Sequence, residues 1–316
     1  MRALASPGSC KGILRPIEAA LALAAGLRAA GAEAVELPVA DGGEGTAEVI
    51  AAARGGAWRD VQVTGPLAER VVARYLVLDD GSAVLEAASA IGLALVSELD
   101  PLRASSHGLG ELLVAGAADT TGPIVVGLGD TATVDGGAGL LEVVGDALRG
   151  RDVRAAFDVR NPLLGERGAA RAFGPQKGAS PEVVEELERR LAAMDVLQPY
   201  ADRPGAGAAG GLGAALAALG AELISGAELV LETVGFRDAA RTADLVITGE
   251  GAVDRSTYEG KAAGEVVRVC REEGVRCVLF GGRVEWQPDG LEVRELSGDP
   301  ARAADDLIEL GRELGG

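Results

Sequence analysis

Lysine is almost missing from this chain. Of 30 cationic residues, only Lys11, Lys177 and Lys261 are Lys, and the others are Arg. Aromatic residues make up 3% of a sequence that is 48% hydrophobic, so the core must be built mostly from Ala, Val and Leu. The single His, His107, would have to serve any Ser-His-Asp triad, and no G-x-S-x-G motif accompanies it, which speaks against a hydrolase. Three Cys residues (Cys10, Cys270 and Cys277) form no C-x-x-C pair and leave an odd thiol. That argues against a disulfide framework or a zinc site and fits a reducing cytoplasm. No window approaches about eighteen uncharged apolar residues, so no membrane span is expected. Positive charge is short overall: the formal net charge is −18. Such a field repels nucleic acid and anionic membranes, and a small anionic substrate would need locally concentrated cations to overcome it.

Glycine is abundant instead, at 47 of 316 residues, and apolar runs separate the glycines. The recurring pattern is a short apolar run, a Gly-rich loop, then a helix. "AVELPVA" at 34–40 runs into "DGGEGT", "PIVVGL" at 123–128 into "GDTATVDGGAG", "DLVIT" at 244–248 into "GEGAVD", and "VRCVLF" at 275–280 into "GGR". This alternation predicts an α/β fold with largely parallel strands. Residues 58–75 alternate polar and apolar around a T-G-P-L turn and read as antiparallel strands. A domain boundary is placed near residue 60. The first thirty residues mimic a signal peptide, but Lys11, Arg15 and Glu18 interrupt the apolar run, and Pro16 suits the first position of a helix, so a strand, a loop and a mature helix are expected. The clearest helix spans 181–197, with Ser180 as N-cap, Pro181 at N1, and Val183, Val184, Leu187, Leu191 and Met194 on one apolar face.

Ligands of open parallel sheets bind outside the carboxyl ends of the strands. Acids embedded in glycine sit at three such ends: Asp41 and Glu44, Asp130 and Asp135, Glu250 and Asp254. Any one of these loops reads as an ordinary Asp-Gly turn, but three of the same layout suit Mg²⁺ and a general base. Each Lys touches a glycine near a helix start: Lys11 before the Pro16 helix, Lys177 before Ser180–Pro181, and Lys261 opening "AAGEVVRVCREEG". A cation there faces the positive end of the helix dipole, and an anion lodged between them, such as phosphate, reverses the penalty. "GAGAAG" at 205–210 follows no apolar strand, so it is read as close helix packing rather than a dinucleotide fingerprint. "EGKAA" lacks the earlier Gly and the Ser/Thr of a P-loop.

Taken together, these loops resemble the bacterial glycerate kinase family. The matching residues are "SPGSCKG" at 6–12, "ADGGEGT" at 40–46, "VTGPL" at 63–67, "ATVDGGAG" at 132–139, "DVRNPLLGERGA" at 158–169, "FGPQKGA" at 173–179, "PGAGAAGGLG" at 204–213 and "TGEGAVDRSTYEGKA" at 248–262. They occur in the family's order and cover nearly the whole chain. The resemblance implies a two-domain α/β protein: a Rossmann-like parallel-sheet domain of residues 1–60 with 235–316, a second mixed α/β domain of 61–234, and the active site in the cleft between them. It implies transfer of phosphate from ATP, with Mg²⁺, to a hydroxyl of glycerate or a related small hydroxy acid, with 2-phosphoglycerate the favoured product. It further implies a cytoplasmic monomer or homodimer whose partners are small molecules.

Phosphoryl transfer asks a protein mainly to position groups and neutralise charge. The resemblance therefore gives catalytic work to Lys11, Asp41, Asp135, Asp158, Lys177 and Asp254. It gives substrate or phosphate binding to Ser9, Gly12, Gly42, Gly43, Glu44, Asn161, Gln176, Gly249, Glu250 and Lys261, and metal binding to Asp135 and Glu250. Departures fall in the same loops. Gly8 and Cys10 replace the family's Asp and Phe; Asp130, Thr131 and Val134 replace Gly, Ser and Asn; Arg160, Ser256 and His107 replace Asp, Gln and Tyr. The stretch between Leu140 and Asp158 is short for the family. Two expectations follow: Asp130 takes over the place of the acid lost at Gly8, and Val134 favours a less polar acceptor. The rival is an inactive paralogue that only binds a ligand.

Overall fold

The computed structural model describes residues 1–10, 12–258 and 260–316. Among them run eleven strands: β1 (Arg2–Ala5), β2 (Glu33–Glu36), β3 (Ala57–Thr64), β4 (Arg70–Val77), β5 (Ala83–Glu86), β6 (Ile124–Gly127), β7 (Val153–Phe157), β8 (Glu222–Ser225), β9 (Leu245–Val253), β10 (Arg276–Val284) and β11 (Glu292–Glu295). The chain is α/β and divides into two compact units. The first comprises Met1–Asp41, Glu48–Ala53 and Ala227–Gly316; the second comprises Gly42–Ala47 and Arg54–Gly226.

The first unit is built on a wholly parallel sheet of order β11-β10-β9-β1-β2. Helices cover both faces, so its central strands carry apolar residues toward both faces rather than alternating. On one face Ala3, Ala5, Leu245, Ile247, Val278 and Phe280 pack with the helices Pro16–Ala29 and Ala303–Gly315. On the other, Leu4, Val246 and Leu279 pack with Val266, Val267 and Cys270 of the helix Ala262–Glu273. The first two helices meet through glycine. A Cβ on Gly26 would lie 2.1 Å from the Ile308 carbonyl oxygen, and one on Gly311 would lie 2.4 Å from that of Leu23.

The second unit holds a mixed sheet of order β3-β4-β5-β6-β7-β8. Strands β3, β4 and β5 pair antiparallel, and β5 through β8 pair parallel. The β3–β4 hairpin is the antiparallel pair expected from the alternation at 58–75. The helix expected over 181–197 starts as read, with Ser180 Oγ accepting from the Val183 N–H, but it ends at Ala192. Met194 leaves the helical region (φ −88°, ψ 87°). Its sulfur occupies the space beside Gly136, where a Cβ would come within 2.7 Å. Tertiary packing ends the helix where the apolar spacing alone would continue it. Among the described residues no helix is long and apolar enough to cross a membrane.

Candidate active site

In the second unit, glycine brings the loop at 42–43 and the loop after β6 together over the carboxyl ends of β6 and β7. Gly42 has φ 96°, and a Cβ there would lie 2.8 Å from the Ala156 carbonyl oxygen. A Cβ on Gly129 would lie 2.4 Å from Gly43 Cα, and one on Gly127 would lie 2.4 Å from the Gly42 oxygen. Only backbone without side chains can approach this closely. The exposed Glu44 donates its backbone N–H to Asp130 Oδ2 at 3.4 Å. Asp130 itself has φ 54°, in the left-handed region. Glu86, at the end of β5, accepts from the Ala47 N–H at 2.7 Å. Sequence reasoning missed this acid, and its only signal was a carboxylate closing the apolar run of β5.

Lys177 is the centre of this loop cluster. It closes the 3-10 turn Pro175–Lys177, and Gly178 follows with φ 92°. The side chain is buried, and Nζ donates to the Thr133 carbonyl oxygen at 2.8 Å and to Thr131 Oγ1 at 3.1 Å. Burial pushes its pKa down to about 7, and Asp135, Asp130 and Asp158 pull the other way. The anions beside this lysine are thus carboxylates of the protein itself. Thr131, a departure from the family's Ser, keeps the hydroxyl that Lys177 uses. Val134 is buried among Leu163, Leu187 and Leu191. It is a core residue, and the expected preference for a less polar acceptor does not follow from it.

Asp135 accepts four hydrogen bonds. Oδ2 receives the Ser106 N–H and Oγ–H at 2.8 Å each and the Gly139 N–H at 3.3 Å, and Oδ1 receives the Gly137 N–H at 3.0 Å. Asn161 donates from Nδ2 to the Arg167 carbonyl at 2.7 Å, closing its own loop. Its carbonyl accepts from Gly207 at 2.9 Å. Gln176 is exposed. "GAGAAG" is a packing element. A Cβ on Gly207 would lie 2.1 Å from the Pro162 oxygen, and one on Gly210 would lie 2.1 Å from the Thr133 oxygen.

In the first unit, Lys261 is the N-cap of the twelve-residue helix Ala262–Glu273. Its Nζ meets Glu250 Oε2 at 3.0 Å. Glu250 was expected in a loop, but β9 continues past it, because Glu250 pairs with Gly281 and the β9–β10 register runs on to Val253 opposite Val284. Its carboxyl is pushed up by burial, opposed by Lys261 and reinforced by Asp41. Asp254 is held low by hydrogen bonds from Ser256, whose Oγ–H and N–H reach Oδ1 at 2.5 and 2.7 Å. The Ser256 departure therefore puts a short hydroxyl on this acid. The Gly8 N–H donates to the Gly249 carbonyl at 2.9 Å. A Cβ on Gly8 would meet nothing closer than 3.5 Å, so packing does not impose glycine there. Cys10, its neighbour, is buried and its thiol is pushed up to about 11, by burial first and Glu250 second. Ser9 is half-buried, and Gly12 has φ 75°. Lys11 lies outside the described residues, and with it the expected exchange of Gly8 for Asp130 around that lysine.

Among the described residues no group of three or more His, Cys, Asp and Glu side chains is disposed to hold a metal. Both oxygens of Asp135 are taken by donors, and Glu250 already has a cation at 3.0 Å.

The profile of the glycerate kinase family matches residues 3–152 and 144–298. The chain belongs to the glycerate kinase family. It is a phosphotransferase with an alcohol group as acceptor. The two matched segments overlap at 144–152, within the stretch expected to be short for the family. The chain is 40% identical to glycerate 2-kinase of Escherichia coli, covering 86% of this chain and 82% of that one. It is 37% identical to glycerate kinase of Halalkalibacterium halodurans, covering 88% and 84%. Among solved structures, a putative glycerate kinase 2 from Salmonella typhimurium LT2 superposes with a TM-score of 0.85 at 33% identity, covering all of this chain and 97% of the other.

Proposed function

We propose that this glycerate kinase family member transfers the γ-phosphoryl group of ATP to a hydroxyl of glycerate, giving 2-phosphoglycerate, ADP and a proton. The 40% identity to a glycerate 2-kinase over most of both chains carries this reading. The geometry supports it. Lys261 at a helix N-terminus combines a cation with backbone N–H groups, the combination that suits a phosphate. Such transfer needs charge balance and alignment more than covalent chemistry from the protein.

Each side chain then has a restricted task. Lys261 shifts between Glu250 and phosphate oxygens. Lys177, from its buried position, holds Thr131 and Thr133 and steadies the acids around it. Asp135 fixes the loop at 135–139 through its four accepted hydrogen bonds. The pool for accepting the proton of the acceptor hydroxyl is Asp41, Asp158, Asp254 and Glu250. Among the described residues no three such side chains gather to hold a metal, so Mg²⁺ enters this reading with ATP, coordinated mainly by phosphate oxygens and water. Three buried, unpaired thiols fit a reducing, cytoplasmic setting.

The test is a coupled assay of purified protein with MgATP and D-glycerate, with the product identified by NMR. Turnover yielding 2-phosphoglycerate is expected. Exclusive 3-phosphoglycerate corrects the position, and no turnover with glycerate or any small alcohol sinks the kinase reading.

A further inference from the structure

Among the described residues, six buried side-chain polar atoms of the first unit have no hydrogen-bond partner, and three of them, Ser6 Oγ, Thr248 Oγ1 and Glu250 Oε1, lie along two adjacent strands. Ser6 and Thr248 are wholly buried. The β1–β9 register pairs Leu4 with Val246 and Ala5 with Ile247, which sets Ser6 beside Thr248 at the next step. The Ser6 N–H donates to the Ile247 carbonyl at 2.8 Å, continuing the pairing. Side chains alternate across a strand. Leu4 and Val246 belong to the core under the helix Ala262–Glu273, so Ser6, Thr248 and Glu250, each at an even step along its strand, face the same side. On that side Lys261, at the start of this helix, meets Glu250 Oε2. The three unpartnered atoms and a helix N-terminus therefore share one face at the carboxyl ends of two neighbouring strands.

Buried polar atoms without partners are costly, and their grouping here points to a ligand. The set offers two hydroxyl donors and one carboxylate acceptor. An alcohol has the complementary inventory, one O–H donor and two acceptor lone pairs. A phosphate or carboxylate offers Glu250 Oε1 no donor and meets its charge. A metal cation meets Lys261 at 3.0 Å from the same carboxylate. We propose that Ser6, Thr248 and Glu250 seat one hydroxyl of the small-molecule acceptor, with Ser6 and Thr248 as specificity-determining residues. The proposal rests on the reading that the substrate is a small hydroxy acid.

Isothermal titration without nucleotide tests it, using D-glycerate and its two deoxy analogues, D-lactate and 3-hydroxypropanoate. The wild type is expected to bind glycerate at least about tenfold more tightly than the analogue lacking the seated hydroxyl. Ser6→Ala and Thr248→Val are each expected to reduce that discrimination to about threefold or less, and Thr248→Ser to retain it. Because the two variants sit on different strands, misfolding of one, seen in its melting curve, leaves the other to decide. Equal discrimination in wild type and a folded variant overturns the seat, as does a wild type that distinguishes neither analogue; a structural water alone gives the former result with a lowered melting temperature. Binding discrimination without turnover strikes the kinase reading only. Turnover with unchanged discrimination in the variants strikes the seat only.

Discussion

A lysine ammonium shut away from water keeps its proton only as far as its neighbours allow. Lys177 titrates at about 7 against an ordinary 10.5. Below about pH 7 the folded and unfolded chains both carry the proton, and the cost of burying it is present in full. Between about 7 and 10.5 the unfolded chain holds more protons, so stability rises with pH across that window. Urea denaturation at about pH 6 and about pH 9 should show the wild type gaining stability relative to Lys177→Met. An unchanged difference means that the lysine stays charged in the fold. Asp130 modifies this behaviour. It occupies a left-handed position where the family has glycine, and Asp tolerates that backbone better than most residues. Asp130→Gly should leave stability within about 1 kcal/mol, because relieved strain offsets the entropy of glycine. It should also move the rise in stability to lower pH, since one of the acids holding the Lys177 proton is gone. Asp135→Asn, by contrast, leaves donors from Ser106, Gly137 and Gly139 facing an amide that cannot accept them all. A loss of roughly 2–3 kcal/mol in denaturant unfolding is expected, together with loss of turnover.

At the scale of elements, glycine decides what packs where. Gly210→Ala forces a Cβ to 2.1 Å from the Thr133 oxygen at φ 72°. It should cost at least about 2 kcal/mol and lower kcat, because the displaced Thr133 carbonyl is a Lys177 ligand. Gly12→Ala, whose Cβ meets nothing within 4 Å, has only its left-handed backbone to oppose it and should cost less. Strands, the hairpin and the N-cap at Ser180 were legible in the sequence because they follow from local alternation and capping. The end of that helix was not, because Met194 is turned by a glycine nearly sixty positions away in the chain. The candidate residues of each unit show the same division. Asp41, Glu44, Asp130, Asp135 and Lys261 announced themselves as acids or lysines in glycine loops. Ser6, Thr248 and Glu86 did not, because a short hydroxyl or a strand-ending acid carries no signal until the sheet register sets it beside its neighbours. Lys177 was found for its loop, but its burial and its Thr131 and Thr133 partners are tertiary facts.

Over the whole molecule, acids outnumber cations by 48 to 30, and many of the cations are already paired at the surface. Unbalanced negative charge opposes compaction, and salt screens it. Raising NaCl from about 0.01 M to about 0.15 M should raise Tm in scanning fluorimetry, and a fall would show that the surface ion pairs outweigh the net repulsion. The central sheet of the first unit has a further consequence, for the order in which the chain matures. Strand β1 lies between β2, close by in sequence, and β9, some 240 residues later, and the Arg2 N–H ends on Asp244 at 2.7 Å. As the polypeptide leaves the ribosome, residues 54–226 of the second unit have nearly all their partners at hand. Strand β1 can pair early with β2 but must wait for some 240 further residues before its second neighbour, β9, is made.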